Sequence, residues 1–343
     1  MFLYQFILYS FAPFFKAPKK SASIFYKGLL IGILLAKGIW APAQQLSHTG
    51  TFAVVPLGVE GGLDESNLSA YMVAVNGTSD YVCLDAGTLY DGIQKAVDAG
   101  IFRQPVTTVL RDAIKGYLIS HAHLDHVSGL ILNSPEDTAK NIYGLPFCLN
   151  ILQNNYFTWK SWANFTDAGD TPRLNKYHYV VMKEGREIPL SGTNMFASAY
   201  PLSHGNPYQS TAFLVRYNQA YLLYLGDTGA DAIEKSDKLH LLWKRIVPLI
   251  RTGALKGIFI EVSFPDTQPV SLLFGHLTPH LLFNELTELA DLSGLSNLKD
   301  IPVVITHLKP SGNNVPLIKS ELKNNNRLHL NLIFPMQGAK LFF

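Results

Sequence analysis

From about residue 51 the chain alternates short runs of β-branched and aromatic residues with turn residues and a few stretches of helical period. The runs at 51–56, 71–75, 81–85, 116–120, 196–200, 211–217, 220–225, 257–262 and 301–306 predict strands. Helices are predicted over 92–99 and 230–250. A third follows Thr278 and Pro279, which offer a cap and a proline at the first helical position, with leucines at helical spacing before Gly294. Strands interleaved with helices, with no obvious linker, predict one layered α/β domain. Residues 144–194 break the rhythm. They are rich in Asn, Tyr and Trp, and Tyr156, Phe157, Trp159, Trp162 and Phe165 form an aromatic cluster. This stretch reads as an insertion or cap over the main domain, its aromatics serving packing in preference to stacking on a nucleobase.

The first 43 residues have a different character. Lys16, Lys19, Lys20 and Lys27 precede an apolar run over 28–36, and Trp40-Ala41-Pro42-Ala43 then offers small residues before Gln44. That is the pattern of a secretory signal peptide, leaving a mature domain over 44–343 that is periplasmic or secreted from a bacterium. The run falls short of the roughly 20 apolar residues that span a bilayer, and Lys37 interrupts it, so no stable membrane insertion is expected after processing. A retained anchor is the alternative.

Over 343 residues, 48% hydrophobic and 16% charged positions are ample for a core and exclude a disordered chain. The net charge of +2 is unevenly spread: residues 1–43 carry five lysines and no acid, so without them the balance becomes −3. The mature chain therefore has no global basic field for gripping long nucleic acid. Cys83 and Cys148 are the only cysteines. One disulfide is allowed, but Cys83 lies inside a strand-like run and reads as a small core residue, and neither has the near neighbour of a redox pair.

The chemistry concentrates in Ser120-His121-Ala122-His123-Leu124-Asp125-His126, directly after the strand predicted at 116–120. Two histidines at i and i+2 on extended chain point to one side and can hold one metal. Asp125 and His126, past the turn, can face a second. So short a motif cannot close two coordination shells, which demands ligands at other strand ends. His204, Asp227 and His307 supply them, each ending an apolar strand beside Gly, Pro or Thr. Imidazole and carboxylate donors without thiolate suit Zn²⁺, with Mn²⁺ or Fe also compatible.

These positions resemble the ligand pattern of the metallo-β-lactamase superfamily. The longer run His121-Ala-His-Leu-Asp-His-Val-Ser-Gly-Leu-Ile-Leu-Asn-Ser-Pro135 is similar to the signature of its class II 3′,5′-cyclic-nucleotide phosphodiesterases. The resemblance implies a four-layer αβ/βα sandwich and two divalent ions, most naturally zinc. One ion would be held by His121, His123 and His204, the other by Asp125, His126 and His307, with Asp227 bridging. It further implies hydrolysis of cyclic AMP, with cyclic GMP a further substrate, to the 5′ nucleotide. Glu261 and His276 would act with the Asp125 site as catalytic residues, His276 protonating the leaving oxygen under orientation by Glu261. Other outcomes are RNA 3′-end processing, for which no basic exosite is evident, lactam hydrolysis, and nucleotide sensing without turnover. Assembly as a homodimer is left open.

Overall fold

The computed structural model describes residues 50–343, so the signal-peptide reading of 1–43 lies outside the described residues. Fourteen strands occur among them. In chain order they begin with β1 (Phe52–Gly58), β2 (Ala70–Val75), β3 (Tyr81–Leu84), β4 (Ile114–Leu118), β5 (Lys140–Gly144) and β6 (Tyr177–Val181). There follow β7 (Ile188–Pro189), β8 (Phe196–Ser203), β9 (Gln209–Tyr217), β10 (Ala220–Leu225), β11 (Leu255–Glu261), β12 (Pro302–Thr306), β13 (Asn331–Ile333) and β14 (Leu341–Phe342). They form two seven-stranded sheets, ordered β14-β1-β2-β3-β4-β5-β6 and β13-β12-β11-β10-β9-β8-β7. Each sheet has three antiparallel pairings followed by three parallel ones, starting from β14 in the first and from β7 in the second.

Alternation along the strands explains the layering. Phe52, Val54, Tyr71 and Val73 meet Phe213, Leu222, Tyr224, Phe259 and Val304 between the sheets. The intervening residues Val55, Leu57, Met72 and Ala74 pack with Ile93 and Val127 from helices on the outer face of the first sheet. Leu223, Leu225, Ile258, Ile260 and Ile305 pack with Trp243, Ile246, Leu282 and Leu286 from the helices Lys238–Arg251 and Pro279–Ser293. Strands covered on both faces read as continuous apolar runs, which made them visible in the sequence. The result is the four-layer αβ/βα arrangement.

All nine predicted strands are present within a few residues of their ends, and Thr278 caps the helix Pro279–Ser293 through Leu281 N–H, as its sequence implied. Two readings need correction. The helix predicted over 230–250 is two helices, Asp231–Glu234 and Lys238–Arg251, separated by Lys235 in the left-handed region (φ 54°). The Asp231 carboxylate causes the restart, accepting from Ser236 Oγ and from the Leu239 and His240 backbone N–H groups. Residues 144–194 are no separate cap: β6 and β7 are edge strands of the two sheets, and Met182 and Leu190 reach the core between them. Phe157 is fully buried and Trp162 Nε1 donates to Ser134 Oγ at 3.0 Å, whereas Trp159 stays exposed. The allowed disulfide is absent: Cys83 and Cys148 are free, buried thiols whose pKa values burial pushes up.

No described helix is long and apolar enough to cross a membrane. The thiols give a simple check. Both should resist a water-soluble disulfide reagent in the native protein and titrate as two thiols per chain after unfolding without reductant; no thiol released on unfolding would contradict the fold.

Candidate metal centre

Every sequence-predicted site residue arrives at one edge of the sandwich, beyond the carboxyl ends of β4, β8, β10, β11 and β12, where open α/β sheets characteristically bind ligands. Gly116 to Leu118 carry the chain into the extended segment 121–123. The helix Leu124–Asn133 then starts inside the motif, placing Asp125 and His126 in its first turn. Asp227 follows β10, and Glu261 ends β11. His307 follows β12 in the left-handed conformation (φ 58°). Its ring lies against Gly61, where a Cβ would come within 2.2 Å of it, so only glycine leaves room for the imidazole.

The donor atoms converge. His123 Nδ1 is 3.1 Å from His121 Nε2 and 3.2 Å from His204 Nε2. His307 Nε2 is 3.1 Å from Asp125 Oδ2. Asp227 Oδ2 sits between the two groups, 3.2 Å from both His126 Nε2 and His307 Nε2, 3.7 Å from His121 Nε2 and 3.8 Å from His204 Nε2. The triplets His121–His123–His204 and Asp125–His126–His307 each keep their donor atoms within 4.8 Å of one another, and Asp227 forms a third such group with His121 and His126.

Hydrogen bonds on the outer side of the rings assign the tautomers. His204 Nδ1 donates to the Gly275 carbonyl at 2.8 Å, and His126 Nδ1 to Asp85 Oδ2 at 2.8 Å. Ser120 Oγ gives its proton to Asp85 Oδ2 (2.7 Å), so it accepts from His121 Nδ1 (2.9 Å). Likewise Ser263 Oγ donates to Glu261 Oε2 (2.8 Å) and accepts from His307 Nδ1 (2.8 Å). In the neutral form each of these four rings therefore turns its Nε2 lone pair toward other lone pairs or carboxylate oxygens. That inward repulsion is relieved by a cation, and the donor set of imidazoles and carboxylates fits a divalent metal. Burial pulls the His121, His123 and His204 rings below their ordinary pKa, His123 to about 4. Burial also opposes charge on His126 and Asp227, but each is outweighed by the opposite charge beside it. His126 is held well above its usual range by Asp227 and Asp85, and Asp227 well below its own by His126 and His307.

Glu261 and His276 form a second unit beside the first. His276 Nδ1 is 2.9 Å from Glu261 Oε1, which also takes the Leu277 N–H at 3.2 Å. The His276 ring stacks on His307 (centroids 5.2 Å apart, planes at 23°), and its Nε2 has no protein partner among the described residues. Burial, reinforced by the Asp227 carboxylate, pushes Glu261 up to about 7, while burial pushes His276 well below its usual value.

The model of class-II cAMP phosphodiesterases matches residues 102–338, a span that contains all nine site residues. The chain belongs to that family. It is 42% identical over 312 residues to a protein of Aliivibrio fischeri named 3′,5′-cyclic-nucleotide phosphodiesterase, covering 87% of this chain and 94% of that one. Its fold matches the crystal structure of unliganded yeast PDE1 with a TM-score of 0.77 at 23% identity, covering 86% of this chain and 100% of that one. A metallo-β-lactamase fold protein of Bacillus subtilis, YhfI, matches with a TM-score of 0.55 at 15% identity, covering 84% and 98%. The sandwich is thus the metallo-β-lactamase fold.

The sequence reading overlooked the residues that hold this family site in place. Asp85 is the foremost. Fully buried and left-handed (φ 56°), it accepts from Ser120 N (2.7 Å), Ser120 Oγ, His126 Nδ1 and Tyr224 OH (2.7 Å). Its signal was present, because it follows β3 two residues before Gly87 much as Asp227 follows β10 beside Gly226. Two tyrosines hold the Ala122 peptide between the first two histidines: Tyr156 OH donates to its carbonyl at 2.9 Å and Tyr208 OH accepts from its N–H at 3.3 Å. Tyr208 also stacks on His123 (4.6 Å, 4°). Outside the site, His178 and His240 pair with Asp167 and Glu288.

Asp85→Ala removes the acceptor shared by four buried donors and should cost about 3 kcal/mol or more in denaturant unfolding of the metal-free protein. A loss under about 1 kcal/mol would contradict the role assigned to this carboxylate.

Proposed function

We propose that the protein hydrolyses 3′,5′-cyclic nucleotides, cyclic AMP first and cyclic GMP also, to nucleoside 5′-monophosphates, using two divalent ions that are zinc. The observation that carries the reading is the pairing of a converging His and Asp donor set with a buried Glu261–His276 couple whose outer nitrogen is free. His121, His123 and His204 would hold one ion, Asp125, His126 and His307 the other, and Asp227 would be shared between them. Bound there, such ions offset the charge of the phosphodiester and make water a nucleophile near neutral pH.

The chain's own residues do the rest. In hydrolysis a water oxygen bonds to phosphorus, the bond from phosphorus to the 3′ oxygen breaks, and that oxygen must gain a proton. Glu261 and His276 share one proton in a buried couple, with Glu261 raised to about 7. When the couple holds its proton, His276 presents an N–H at Nε2; giving it to the leaving oxygen leaves the Glu261 carboxylate bonded to Nδ1–H. Ser263 ties this couple to His307, keeping the proton donor in register with the donor set. Tyr156 and Tyr208 fix the backbone between His121 and His123, so the first donor group keeps its shape. The N-terminal pattern supports export, where such an enzyme would act on extracellular cyclic nucleotide.

Purified protein loaded with zinc should convert cyclic AMP to 5′-AMP and lose that activity to a chelator. His276→Ala should retain two metals by elemental analysis and bind substrate, yet lose about 10²- to 10⁴-fold in kcat. A p-nitrophenyl phosphodiester, whose leaving group needs no proton, should recover most of that loss. Equal losses on both substrates would remove the proton-donor role. Because the couple acts in its protonated form, kcat should fall as pH rises through its titration, and His276→Ala should lack that alkaline limb. Asp227→Ala should deplete both metals and His307→Ala mainly one; two metals per chain in both variants would overturn the ligand assignment.

A further inference from the structure

Phe274 is a large apolar side chain that the fold does not use. It is 67% exposed, and among the described residues its ring meets no aromatic or cationic partner, although its neighbour Leu273 is buried. Its backbone is left-handed (φ 52°), a conformation that is costly for a bulky residue and kept only where its surroundings force it. The forcing element is Gly275. With φ at 79°, it is pressed so closely on the turn carrying His204 that a Cβ there would lie 2.0 Å from Gly205 N and 2.5 Å from the His204 carbonyl carbon. Its carbonyl fixes His204, and the next residue is His276, whose N–H closes the turn on the Leu273 carbonyl at 3.1 Å. The turn 273–276 thus does three things at once: it holds His204 through the Gly275 carbonyl, carries His276, and leaves an aromatic ring exposed two residues before that histidine. Phe264, half-buried, meets the His276 ring edge-on at 5.7 Å and 70°.

We infer that Phe274 is the platform on which the substrate's nucleobase stacks. This rests on the reading of the site as a cyclic-nucleotide phosphodiesterase. The 3′ oxygen that His276 protonates and the base belong to the same ribose, so a sugar seated at His276 carries its base past the residue two positions earlier, at most about 7.6 Å away along the Cα trace. An aromatic face binds any base, since each has a π-surface, so the platform supplies affinity for adenine and guanine alike. Polar recognition of one base is not needed to hold the ribose at the proton donor.

Phe274→Ala should raise KM for cyclic AMP and cyclic GMP about 10- to 100-fold with kcat little changed, the size of one lost base stack read as ground-state and transition-state binding together. Phe274→Trp should restore the wild-type KM. Methyl ribofuranoside 3′,5′-cyclic phosphate, which keeps the reacting ring and has no base, should be hydrolysed equally by wild type and Phe274→Ala. Unchanged KM for the nucleotides, an equal loss on the base-free substrate, or a shift in sedimentation with intact kinetics would each overturn the inference, the last assigning this face to a second copy of the chain. If wild-type protein hydrolyses neither cyclic nucleotide, the functional reading fails, and calorimetric binding of 5′-AMP then decides the stacking separately: weaker binding to Phe274→Ala supports it, and equal binding refutes it.

Discussion

The structure turns on a concentration of like-signed lone pairs around one oxygen, Oδ2 of Asp227. The Nε2 atoms of His126 and His307 lie 3.2 Å from it, and those of His121 and His204 lie under 4 Å away. Left to relax, these rings would swing their nitrogens toward water or one another. They do not, because each is fastened from behind by an acceptor: Asp85 for His126, Ser120 for His121, Ser263 for His307 and the Gly275 carbonyl for His204. The outer bonds thereby choose the inner tautomer, and a cavity that would repel itself becomes one that attracts cations.

The architecture supplies what those fastenings need. Each sheet repeats three antiparallel pairings and three parallel ones, and the parallel strands of both halves end at the same edge. Strand ends are rigid, and short turns after them place polar residues with little freedom. Donor side chains separated by almost two hundred residues, Asp125 and His307 among them, meet because their strands share that edge. Glu261 and His276 extend the same logic one step outward, into a buried hydrogen-bonded couple beside the donor set.

Much of this was legible in the sequence, for identifiable reasons. Strands buried on both faces, such as β10 and β11, leave unbroken apolar runs, and the residues ending them stand out as polar. The short edge strands β7, β13 and β14 carry too few residues for any period to show. Lys235 and the Asp231 cap broke a helix whose apolar spacing continues across the gap, so periodicity alone could not find the break. Asp85 escaped notice because a carboxylate whose work is to orient a histidine carries no spacing signature; only its place after an apolar strand hinted at it. Ser120 and Ser263 are ordinary serines until their hydrogen bonds are seen. The disulfide question was likewise beyond pattern, since two buried thiols and one bridge look alike in a sequence.

The central claim is that this donor set holds two cations with Asp227 between them. Crystals of the zinc-loaded protein, measured on both sides of the zinc absorption edge, test it most directly. The account predicts two anomalous peaks, one within bonding distance of His121, His123 and His204, the other of Asp125, His126 and His307, each also bonded to Asp227. A single peak, or a pair of which only one touches Asp227, would contradict it.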